Sequence, residues 1–323
     1  YGSIWANRYL QLYPDQADGV VMDAFAVGLL LTRDDVYFDE LGERLMGACA
    51  TTQGCAERFG PDPWAEMTTL LTGLEGGACP EIVAQGWTRP ELHLFWSFFL
   101  YTWEYRSLIA PMVYRMSRCE PRDVAALQNL HDVFTQPQPV TAAQRYFSMM
   151  LSTHILLSEL WEDPAPSLEE LEDIEANATI GHGIAATAQS LYPAWPRYTK
   201  DAYADQLAES PTPVLMIRGE YDFIPRASVD PAIDHFSNGM NFLEVPNAPH
   251  NPYAAPNVGG GLPCAAAVRS VFFADPTAAL DMSCTQDVAP LPLVPASDLS
   301  MAAFGTADPW DGNPSGPFDA ASP

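Results

Sequence analysis

Thr212-Pro213-Val214-Leu215-Met216-Ile217-Arg218-Gly219-Glu220-Tyr221-Asp222-Phe223-Ile224-Pro225 opens with an apolar run of strand length. Such a run predicts a compact, buried strand. Gly219 permits a tight turn, Asp222 lies one turn past the strand end, and Pro225 fixes the exit. An Asp in that position sits at the carboxyl edge of a parallel sheet, where α/β proteins build their sites. Asn241 to Pro246 predicts the neighbouring strand, with a short helix over Val229 to Phe236 between the two. Its following loop is Asn247-Ala248-Pro249-His250-Asn251. A His there lies close to Asp222 in space, so the carboxylate can hold the imidazole Nδ1–H and leave Nε2 as a general base. The plainer alternatives are a turn-capping Asp222 and a surface His250.

Outward from this stretch, the N-terminus reads as a helix already under way, with Trp5, Tyr9, Leu12 and Tyr13 at helical spacing and Pro14 as its stop. It has the look of a buried helix, which suggests the later part of a longer protein. Gly19 to Ala26 predicts a buried strand. Residues 29–205 show helical periodicity, clearest over Phe38 to Cys49, Pro63 to Leu74, Glu91 to Met116, Pro121 to Phe134 and Ala142 to Trp161, with Pro111 expected to break the third. Ala265 to Phe273 predicts a further amphipathic helix. The domain reading is therefore residues 1–28 and 206–284 as a core, 29–205 as a helical insertion and 285–323 as a Pro/Ala/Asp-rich tail. Leu291, Leu293, Met301, Phe304 and Trp310 are placed to tack that tail onto the body.

Composition removes several function classes. The net charge of −26 and pI near 4.2 oppose a phosphate backbone and an anionic lipid surface, so neither nucleic acid nor membrane is an expected partner. Lys200 is the single lysine, and no polybasic segment exists. The richest apolar run, Leu92 to Trp103, is about half of the roughly 20 residues a bilayer requires. Six cysteines fall into near pairs along the chain: Cys49 with Cys55, Cys79 with Cys119, Cys264 with Cys284. Three disulfides in an oxidising compartment, extracellular or periplasmic, is one reading, and six buried thiols in a cytosolic protein is the other. No Cys–His spacing suits zinc, and no metal or cofactor is expected. Gly259-Gly260-Gly261 lacks the strand and Lys of a phosphate loop, the 308–313 run lacks EF-hand spacing, and the sequon Asn177-Ala178-Thr179 carries no weight.

The run from Thr212 to Pro225, "VPNAPHNPY", "LPCAAAVRSVFFADPT", "DMSC" and "CATTQGCAERFG" together resemble the α/β-hydrolases of the secreted tripeptidyl-aminopeptidase-like and proline-iminopeptidase-like type. "YGSIWANRYLQLYPD" is similar to the continuation of that family's nucleophile elbow, G-x-S-Y-G-[ST], from the residue after the serine. The likeness extends to about Cys284 and is densest over 1–25 and 210–285. It implies an α/β fold, the C-terminal portion of an α/β-hydrolase with an inserted all-helical cap. It implies Asp222 as the orienting acid, His250 as the base and the Tyr1 backbone N–H as one oxyanion-hole donor, with the nucleophilic serine expected immediately before Tyr1. Ser3, nearly a turn into the helix and without flanking elbow glycines, is no substitute.

The activity so implied is a serine peptidase acting near free N-termini through an acyl-enzyme, on a peptide or small ester. An esterase or lipase-like hydrolase on the same triad and a non-catalytic binding protein on a decayed frame are the alternatives. Acidic cap residues would anchor a substrate amine. Glu159 is the first candidate, ahead of Glu104, Glu162 and Asp163, and a solvated helix end is the plainer reading of each. Phe95, Phe98, Phe99 and Trp103 read as core. His235 reads as solvent-facing on its helix, and His93, His131, His154 and His182 as satisfied core or surface residues.

Overall fold

Among the described residues three runs make strands, and they pair side by side in chain order as a parallel sheet. β1 is Val20–Asp23, β2 is Val214–Gly219 and β3 is Phe242–Val245, with Val20 opposite Val214 and Met216 opposite Phe242. This computed structural model describes residues 1–25, 28–136, 147–237 and 241–314. Every residue of β2 is buried. Its side chains alternate between the faces, as strand geometry demands. Val214 and Met216 join Met22, Val229 and Ala232 on one face, whereas Leu215 and Ile217 join Val268 and Phe272 on the other.

The remaining elements are helices: α1 Gly2–Leu12, α2 Asp34–Cys49, α3 Pro63–Glu75, α4 Pro80–Ala84, α5 Arg89–Tyr101, α6 Ile109–Arg118, α7 Pro121–Thr135, α8 Met149–Glu159, α9 Leu168–Asn177, α10 Ile184–Leu191, α11 Arg226–Ser237, α12 Cys264–Ala274 and α13 Ser297–Phe304. The first and largest apolar cluster runs from Leu10 through the helices of residues 34–130 to Phe304 and Trp310.

The expected fold class is overturned. The structure is 53% helical, and among the described residues it has a small sheet of three strands, which is not an α/β-hydrolase core. Among the described residues, strand-type runs occur only in those three places, and they are short. The helical stretch between β1 and β2 makes most of the buried apolar surface itself.

Smaller corrections have local causes. Over Glu91 to Met116 the chain leaves the helix at Thr102, and a 3-10 turn over Tyr105–Leu108 precedes α6. Pro111 lies in the first turn of α6, where its missing N–H leaves no helical bond unmade. The first strand stops at Asp23 because Ala24 turns to φ 49°, and Ala26 lies outside the described residues. Residues 142–146 of the helix expected from Ala142, and 315–323 of the tail, also lie outside them. On α1 the aromatic stripe faces outward: Trp5 is 64% exposed, and its ring, Tyr9 and Tyr13 form a ladder along the surface. The inward side is Asn7 and Leu10, and Asn7 exchanges hydrogen bonds with the 206–208 backbone.

Cys49–Cys55, Cys79–Cys119 and Cys264–Cys284 are disulfides. Among the described residues no helix is long and apolar enough to cross a membrane. Of the tail residues, Leu293, Phe304 and Trp310 are buried and Leu291 packs against the core, whereas Met301 is exposed.

Candidate functional site

All three strands run the same way, so their carboxyl ends form one edge, and the loops that leave it converge. After β2 the chain turns at Gly219, where a Cβ would come within 2.0 Å of the Pro249 carbonyl oxygen. Only glycine lets the loop after β3 lie this close. Tyr221 N–H donates to Ala248 O at 2.9 Å and Glu220 N–H to Val245 O at 3.0 Å, which pins the two loops together. Asn247 adopts φ 59°, a left-handed conformation that Asn tolerates better than most residues. Its N–H donates to the Glu220 carboxylate and its amide to Ala289 O.

His250 Nδ1 lies 2.9 Å from Asp222 Oδ1. The Asp222 side chain is fully buried and that of His250 is 39% exposed. A carboxylate only accepts, so Nδ1 carries the proton and, in the neutral imidazole, Nε2 keeps its lone pair. Ile224 N–H also donates to Asp222 Oδ1, while Oδ2 is buried without a partner. The rings of Phe223 and Tyr101 stand 5.0 and 5.9 Å from the imidazole. Burial raises the Tyr101 phenol, and so do Asp34 and Asp222, keeping it protonated.

The end of β1 meets the same loops. Asp23 accepts from Tyr253 OH at 2.8 Å through Oδ1, and from the Ser3 hydroxyl at 2.6 Å through its backbone oxygen. Burial raises the Asp23 carboxyl, against the lowering influence of Tyr253, Arg269 and His250. Ser3 is thus committed to a backbone carbonyl. Tyr1 caps α1 beside it, and its hydroxyl donates to Glu159 Oε2 at 2.5 Å, while Tyr198 donates to the other Glu159 oxygen. Burial, then the Glu159 hydrogen bond, raises the Tyr1 phenol. The end of α8 therefore reaches the start of α1.

The other candidates separate. Glu162 is taken up by Thr32 and Arg33, and Glu104 lines a different cavity. Phe95, Phe99 and Trp103 are buried, as a core stripe requires, whereas Phe98 is half exposed. His235 is exposed, in keeping with its solvent-facing reading, and its Nε2 lies 2.9 Å from Ala208 O. His93 is buried against Ala178 O, and His154 accepts from Trp195.

Three further polar groups lie near the His250–Asp222 pair. His182 Nδ1 lies 2.8 Å from Asp34 Oδ2, making a second His–Asp pair whose imidazole also packs near Tyr101, with ring centroids 6.2 Å apart. Arg106 is fully buried and donates to Asn247 O and Leu100 O, and burial pulls its guanidinium down to about 10. Arg218, buried at the end of β2, donates to Ile224 O and Glu244. An Arg in an otherwise apolar strand run was the one signal available for the last. Cys79, Glu81 and Cys119 bring ligand-type atoms together, but both sulfurs belong to a disulfide and offer no thiolate. Comparison with family models, with curated proteins and with solved structures finds no match to this chain.

Proposed function

We propose that the chain carries the acid–base half of a serine hydrolase of the aminopeptidase-like kind that its sequence resembles. The observation that carries this reading is the His250–Asp222 hydrogen bond, with a buried carboxylate behind an exposed imidazole. In this reading the nucleophile is a serine joined to Tyr1 on its N-terminal side. His250 Nε2 takes its hydroxyl proton as the oxygen attacks the substrate carbonyl, and Asp222 stabilises the imidazolium. The Tyr1 N–H receives the developing oxyanion. The imidazolium returns the proton to the leaving amine, and water, deprotonated by the same nitrogen, releases the acyl group. Glu159, within hydrogen-bond reach of Tyr1, is the anchor for a substrate α-ammonium. The three disulfides favour an oxidising compartment, so the proposed location is extracellular or periplasmic.

Hydrolysis of aminoacyl-p-nitroanilides by the full-length protein tests the reading. His250→Ala is expected to lower kcat by about four orders of magnitude. Glu159→Gln is expected to raise KM with a smaller effect on kcat. Turnover that survives His250→Ala contradicts the assignment.

A further inference from the structure

Beside the Tyr1–Glu159–Tyr198 cluster lies a cavity of about 420 Å³ whose walls include Ser158, Trp161, Asp163, Tyr192, Arg197 and Lys200. It opens between the end of α8 and the chain that follows α10, on the small apolar cluster containing Leu157, Trp161 and Tyr192. Trp161 and Tyr192 stack with ring centroids 6.3 Å apart, and the Arg197 guanidinium carbon lies 3.5 Å from the Tyr192 centroid. Tyr198 belongs to this wall and also donates to Glu159.

The charges here are unusual for this molecule. With 41 acidic against 15 basic side chains, most cations have carboxylate partners. Among the described residues Arg197 has no ion pair and rests on an aromatic ring instead. Lys200, the single lysine, faces Asp205 at 2.9 Å. Ser158 is 6% exposed, and its buried hydroxyl has no partner. A buried donor without an acceptor, beside a free guanidinium and over an aromatic floor, is the complement of an arene carrying an acid.

We propose that this cavity binds the aromatic, carboxylate-bearing end of a substrate, its ring along the Tyr192 and Tyr198 wall and its carboxylate on Arg197. Asp163 and Asp205 offset Arg197 and Lys200 in formal charge, which suits one carboxylate rather than a phosphate. The word substrate rests on the hydrolase reading, but the binding does not.

The test is equilibrium binding of N-acetyl-phenylalanine and of its amide to the full-length protein, measured by calorimetry. The acid is expected to bind roughly tenfold tighter, as a charge-assisted contact to Arg provides. Arg197→Gln, at an exposed position, is expected to erase the difference, and His250→Ala to leave it intact. Equal affinities for acid and amide, or a preference that survives Arg197→Gln, overturns the proposal. Failure of the hydrolase reading alone appears differently, as hydrolysis indifferent to His250→Ala with the acid preference unchanged.

Discussion

At the scale of single residues, Gly219 decides whether the two site loops can meet. A methyl group there collides with the Pro249 and Ala248 carbonyl oxygens, which are backbone and cannot swing aside. Gly219→Ala is expected to destabilise the fold by about 1–3 kcal/mol or more and to part His250 from Asp222, with thermal unfolding and hydrolysis as the readouts. Asp34 makes a titration argument. Burial raises its carboxyl against the lowering effect of His182. The native state then holds this proton more tightly than the unfolded chain, so the contribution is full below the ordinary Asp pKa of 3.8 and is lost as pH rises through the higher native value. Asp34→Asn, which can still accept from His182, is expected to flatten the fall in stability across that interval in denaturant titrations. Asp222 and His250 were legible because each follows a strand-type run and is punctuated by Gly or Pro. Asp34 and His182 were not, because 148 residues separate them and only the packing of α2 against the turn before α10 joins them.

At the scale of elements, the chain after residue 290 is a strap held by buried charge. Arg115 and Asp123 are both fully buried and pair at 3.1 Å. Arg115 also donates to the carbonyls of Asp308, Pro309 and Gly312. Asp123 closes the capping box of α7 and accepts from Arg118, which reaches Asp311. Asp123→Ala leaves the buried Arg115 guanidinium without a carboxylate and is expected to cost about 3–5 kcal/mol by chemical denaturation. Trp310→Ala, which empties the space against Phe59 and Tyr114, is expected to cost a similar amount. Helix bounds such as α7 were readable from Pro121 and the apolar spacing that follows it. The break at Thr102 was not, because it depends on Arg106 bonding Leu100 O and the distant Asn247 O.

For the whole molecule, the parallel three-strand edge and the surrounding helices were visible as runs and periodicity, but the fold class inferred from likeness was not upheld. Local patterns report strands and helices one at a time, and the size of the sheet depends on how many strand runs there are to pair. The disulfides divide the chain unevenly. Cys79–Cys119 closes the longest loop, 40 residues, against 6 and 20 for the others. In the chain-entropy account its loss, as Cys79→Ser with Cys119→Ser, is expected to cost about 4 kcal/mol, more than the loss of Cys49–Cys55. Melting under reducing and oxidising conditions measures that ordering.

The rate of fluorophosphonate labelling in the full-length protein, its His250→Ala and Asp222→Asn variants and the double variant bears most directly on the site. If imidazole and carboxylate act as one unit, labelling is fast in the parent, falls steeply in either single variant, and falls no further in the double variant than in His250→Ala alone. Equal rates in all four proteins, or losses that multiply in the double variant, contradict it.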